Sequence, residues 1–184
     1  MSVHLGDHAG TKNRTTRFVQ RGCLGVALAA AVVGLSTAPA SAAPDGTTTA
    51  NAVVTSGITL TALTPSFTLT GTPGATVQSG AVTYNVETNN FAGYSVTVST
   101  LAATMLPGNT TTNTDTIPIG DLTVRETGTT PYTGISNVTP VTVHSQPGRS
   151  VNTGDPLSTE YQMRIPTVNV DTYSATLTYL AATL

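Results

Sequence analysis

The groups that could carry chemistry are few, and they are scattered. His144 is the only histidine after residue 8, so a Ser-His-Asp arrangement would need it as the base. Ser145 follows it directly, and no G-x-S-x-G elbow occurs. Glu126, Asp155, Glu160 and Asp171 are the candidates for acid-base work. A retaining glycosidase needs two carboxyls about 5 Å apart and an inverting one needs more, and spacing along the chain does not bring these four together. Loop carboxylates near Asp115 and Asp121, or near Asp155, have the oxygen chemistry that Ca²⁺ takes, but no EF-hand spacing is present. The only cysteine is Cys23 and the only lysine is Lys12. Thiolate zinc sites, CxxC redox motifs and a P-loop are therefore excluded from everything downstream. No catalytic residue and no cofactor is expected.

These groups must be set against the way the chain begins. Lys12, Arg14, Arg17 and Arg21 precede an apolar run, CLGVALAAAVVGL, from Cys23 to Leu35. The small-residue site Ala40-Ser41-Ala42 follows. A basic stretch, a short apolar stretch and an A-x-A site make up a secretory signal peptide, so residues 1–42 are expected to be removed. The apolar run is shorter than the roughly 20 residues a spanning helix needs. Cys23 stands at its start, not its end, and no lipid is expected on it. Cleavage after Ala42 leaves 142 residues with three arginines, Arg125, Arg149 and Arg164, against eight acids, a net charge of −5. Such a surface offers nothing to nucleic acid or an anionic membrane. Without cysteine, an apolar core must hold the fold unaided, and a chain of this length buries roughly two-thirds of its unfolded surface.

The elements that position these residues read as strands throughout. Threonine supplies 35 of the 142 residues, a β-branched side chain suited to a pleated, half-buried surface. Apolar and polar residues alternate in 58–62, 67–70, 82–87, 94–99, 122–125, 141–144, 161–165 and 173–179. Period two means one face toward a core and one toward water. On that pattern Tyr84, Tyr94, Tyr161, Tyr173 and Tyr179 face the core, while His144, Arg125 and Arg164 face solvent, the arginines near acids. Phe91 and Tyr132 fall in turns. Pro- and Gly-bearing turns separate the runs at 72–74, 89–93, 107–109, 128–131, 147–148 and 154–156. The expectation is an all-β domain over 53–184, a single antiparallel Greek-key-like β-sandwich of about eight or nine strands, behind a flexible leader at 43–52.

Two stretches, VTYNVETNNFAGYSVTVST at 82–100 and DTYSATLTYLAATL at 171–184, give a resemblance. Their order and spacing resemble secreted bacterial WxL-type cell-surface β-sandwich domains. Gly93-Tyr94-Ser95-Val96-Thr97-Val98 is similar to that family's early strand, and Tyr173 to Leu180 to its closing one. Tyr179-Leu180-Ala181 stands where the family has Trp-x-Leu, and the chain has no tryptophan. The resemblance implies non-covalent attachment to the Gram-positive cell wall, or a part in surface assemblies.

The function expected is thus that of a secreted, non-enzymatic surface or wall-associated protein, with a wall polymer or other surface proteins as partner. No LPxTG motif occurs, and no lysine remains for isopeptide cross-linking. The closing stretch 172–184 carries no charge and could seal the core or offer an edge to another strand. The alternative is a diffusible module that binds a glycan or surface ligand through loops such as 107–116 and 128–134.

Overall fold

Alternation in the sequence becomes alternation in burial. Val82, Tyr84, Val86 and Thr88 point inward from strand β3 (Val82–Thr88), and Tyr94, Val96 and Val98 from β4 (Tyr94–Ser99). Leu122 and Val124 do so from β7 (Leu122–Glu126), and Thr159, Tyr161 and Met163 from β10 (Asp155–Arg164). The computed structural model describes residues 45–184, and the signal segment expected at 1–42 lies outside them. Residues 45–57 are exposed and carry no secondary structure.

The described residues form twelve strands in three antiparallel sheets, with no α-helix and one 3₁₀ turn at Ile119–Asp121. The remaining strands are β1 (Ile58–Thr61), β2 (Thr76–Gln78), β5 (Thr104–Pro107), β6 (Ile117–Pro118), β8 (Thr133–Gly134), β9 (Val141–Gln146), β11 (Tyr173–Ser174) and β12 (Thr178–Thr183). The largest sheet runs β1-β3-β10-β7-β8, with β2 paired to the far half of β10. A second runs β12-β4-β9, and a small third β11-β5-β6.

The first two sheets share one apolar core, joined by tyrosines. The Tyr179 hydroxyl of β12 lies 2.6 Å from that of Tyr161 and 2.5 Å from Thr159 Oγ1, both on β10. Its ring packs on Tyr84 of β3 at 5.2 Å. Tyr94 of β4 donates its hydroxyl to Asp155 Oδ2 on β10 at 2.8 Å. A hydroxyl taken out of water without a partner is costly, so these contacts set how the sheets register.

Three expectations are corrected here. Residues 67–70 form no strand: Phe67, stacked on Tyr161 at 4.3 Å, and Leu69 are half-buried against the core without a ladder to hold them. The turn expected at 154–156 ends at Gly154, and Asp155 and Pro156 open β10. Pro156 is tolerated there because β7 joins β10 only from Thr159 onward, leaving one side of the strand unpaired. The closing run 173–179 is split between β11 and β12, which belong to different sheets. The strands beyond the expected eight or nine are pieces of two to four residues, too short to show a period.

Glycine is needed at two turns. Gly93 has φ +109, and a Cβ there would meet Gln146 O at 2.1 Å. Gly154 has φ +79, and a Cβ would meet the Asn85 amide at 2.2 Å. Any side chain at Gly93 would push β4 off the end of β9.

Replacing Tyr179 by Phe keeps the ring and strands two buried hydroxyls. It is expected to cost about 1–3 kcal/mol in urea unfolding with an unchanged m-value. Burial raises the pKa values of Tyr84, Tyr94 and Tyr161 well above the ordinary tyrosine value. The raised folded value means their contribution is intact below about pH 10 and is lost as pH rises through it. Tyrosinate absorbance should therefore show these residues ionising together with unfolding.

Candidate functional site

His144 is not on the solvated face where alternation puts it. The pairing of β4 with β9 slips between Val96 and Thr97, so Val143 is an extra residue in β9. Such a bulge breaks the two-residue period and re-aims the side chain beside it. Val143 is buried, and the His144 side chain is only 12% exposed. Its Nδ1 lies 2.7 Å from Glu126 Oε1 at the end of β7, and its ring packs against Tyr94 at 5.5 Å. An imidazole oriented by a carboxylate is half of a general-base arrangement. Here the other nitrogen, Nε2, is buried without a protein partner, as is the Tyr84 hydroxyl. What the pair does in this geometry is tie β7 to β9 across the two sheets.

Asp155, Glu160, Asp171 and Asp115 are each engaged by their own donors. Asp155 takes Tyr94 Oη, Gln146 Nε2 at 3.1 Å and the Val151 N–H at 3.1 Å. Glu160 takes the Arg125 guanidinium at 2.7 Å, and Arg125 also lies 4.3 Å over the Tyr132 ring. The expected pairing of Arg125 is thus present, and it raises the Arg125 pKa. Arg164 instead reaches the Gly74 carbonyl at 3.4 Å and lines a small groove of about 350 Å³ that Asp121 also lines. Asp115 Oδ2 accepts from the Asn169 N–H. Among the described residues, no group of three or more His, Cys, Asp or Glu is placed to hold a metal ion.

The two loops expected to offer ligand contacts are ordered by internal contacts. Asn113 is buried; its Nδ2 donates to Asp171 Oδ2 at 3.1 Å and to the Tyr173 hydroxyl at 3.0 Å. Asn109 Oδ1 accepts from the N–H groups of Thr111 and Thr112, closing the turn. Gly108 N donates to Thr172 O. Residues 108–115 are therefore tied to 169–173, with residues 108–112 still exposed. In 128–134, Tyr132 lies under Arg125, and β8 extends the large sheet. Phe91 is 93% exposed and stands alone at its turn.

A further recess lies elsewhere. A groove of about 610 Å³ lies between Thr55–Thr59, Glu87–Asn89 and Arg149–Asn152. Asn89 builds its wall: Nδ2 donates to Thr55 O, and Oδ1 accepts from Gly57 N, both at 2.8 Å. Ser150 Oγ accepts from Thr88 N. The lining presents one cation, one carboxylate, amides, hydroxyls and the side chains of Ile58 and Val151. This set can hydrogen-bond a polyol and pair an anionic substituent. Arg149 has no ion-pair partner among the described residues, unlike Arg125. Sequence reasoning passed over these residues, since a lone arginine after Pro147-Gly148 carries no signal by itself.

The Asn113 amide, followed by the Thr172 N–H, holds the Asp171 carboxyl below its ordinary pKa. A depressed folded value means the contribution is present above the unfolded pKa of about 3.9 and is lost as pH falls through the folded one. Amide exchange in residues 109–115 is expected to stay slow at pH 5 and to accelerate in acid below about pH 4. In an Asp171→Asn variant that acid step should be absent.

Compared with known protein families, with curated proteins and with solved structures, the chain matches none.

Proposed function

We propose that residues 53–184 are a single Greek-key-like antiparallel β-sandwich and that the chain is a secreted, non-enzymatic protein of the bacterial cell surface or wall. It is held there without a covalent bond, on the plan of a WxL-type domain. Wall polymer and other surface proteins are its partners; nucleic acid and, once the signal segment is gone, membrane are not. The observation that carries this reading is the flank formed by β12. That strand pairs with β4 alone and carries no charged residue from Thr178 to Thr183, and Leu180 is 60% exposed. Proteins commonly guard such an edge with charge, proline or a bulge. An unguarded edge fits a protein that associates with another chain. The export signal and the net negative mature surface agree with an extracellular setting.

A diffusible binding module is the second reading, and the Arg149 groove favours it. Both readings are tested by fractionating a producing culture and measuring the mass of the N-terminus. Protein that begins at Ala43 and leaves washed walls only with denaturant or strong salt is the expected result. Freely soluble monomer in the medium would shift the assignment to the second reading. Intact protein in the membrane fraction, beginning at Met1, would overturn both. Arg149→Ala leaves the core untouched, so weaker binding to purified walls by this variant would assign the attachment to the groove.

A further inference from the structure

We infer that copies of this protein join head to tail, the segment Ala50–Val54 of one copy adding as a strand to the open edge of β12 in the next. The inference rests on the surface-assembly reading and names its partner.

Two unused halves of one ladder stand on the same chain. The first is the arm before β1. Residues 50–57 are exposed, and Val53 and Val54 are 89% and 82% exposed. Val53, Val54 and Thr55 are consecutive β-branched residues, the type that favours extended backbone. Among the described residues, the arm makes no hydrogen bond before Thr55 O, where Asn89 clamps it. The clamp fixes where the arm leaves the domain and leaves its strand-forming part without a partner.

The second half is β12. Its inner side is paired with β4 from Thr178 to Thr183. In an antiparallel strand, alternate residues direct their N–H and C=O groups away from that partner, and among the described residues no strand pairs with them. β1 runs close to β12 without hydrogen-bonding to it, so the arm and the edge belong to the same flank. Five residues of arm span about 17 Å, and the six of β12 about 20 Å, at ~3.3 Å per residue. Neither segment has a charge to repel the other, and Leu180 stands exposed on the strand beside the arriving valines.

Each copy has one arm and one edge, and these are different surfaces. The contact is therefore heterologous and leads to open chains of copies unless the rotation closes a ring. Main-chain hydrogen bonds supply the attachment, as in other strand additions.

The test uses the secreted product of the full chain. Copies carrying Val54→Cys are mixed with copies carrying Leu180→Cys under mild oxidation. Cys23 is the chain's only cysteine and precedes the arm, so each variant alone controls for it. A disulfide-linked pair several-fold above that given by Val54→Cys with Val170→Cys is expected, since Val170 is fully exposed and not part of β12. The double substitution Ala52→Pro/Val53→Pro removes two consecutive N–H groups, one on each side of the arm. It should abolish both the linked pair and any oligomer seen by sedimentation while leaving the fold intact. No pair above the control, in protein that still sediments with washed walls, would overturn the inference and leave the surface reading standing. No pair in protein found as free monomer in the medium would remove both. A disulfide closing within one chain of a Val54→Cys/Leu180→Cys variant would also overturn it, because the arm would then belong to its own edge.

Discussion

The Tyr179 hydroxyl sits inside an apolar core and has to be satisfied there. It meets Thr159 and Tyr161 on the opposite sheet, and its ring meets Tyr84. This requirement couples the last strand of the chain to β10, which in turn pairs with β3, β2 and β7. With no disulfide available after residue 23, these buried hydroxyl contacts and the apolar side chains around them fix one alignment of the two sheets. A displaced β12 would leave three hydroxyls without partners, which is why small slips are penalised more steeply than apolar packing alone would require.

The same constraint explains where the polar side chains end up. β10 presents Asp155 to Tyr94, Gln146 and the 151 turn, so the loop that walls the Arg149 groove hangs from the strand that organises the core. The bulge at Val143 brings His144 onto Glu126 and closes the opposite flank. The long Thr- and Asn-rich loop, which by composition could have been a free ligand loop, is spent on internal hydrogen bonds to Asp171 and Tyr173. Loops of this kind hold a surface in shape. The Arg149 groove and the β12 flank are built from other segments of the chain.

How much of this was legible in the residues differs from one feature to the next. Alternation marked β3, β4, β7 and the inward tyrosines correctly, because period two is a local property of a strand with one buried face. It failed at Phe67–Thr70, where packing against the core shows the same burial pattern without a ladder. It failed at His144, where one inserted residue reversed the face. Short strands such as β6 and β8 exist only because a neighbour pairs with them, and Asp155-Pro156 looked like a turn because nothing local shows that one side of β10 is bare.

The chain's chemical poverty, its lack of cysteine beyond residue 23 and its commitment to β structure all follow from composition and period, and no knowledge of contacts is needed for them. Which carboxylate finds which donor, which loop is bound and which edge stays open depend on residues far apart in the chain meeting in space. Asn113 and Asp171 are separated by 58 positions, and Tyr94 and Asp155 by 61. Hydrogen bonds act over about 3 Å, so only the folded arrangement can choose their partners.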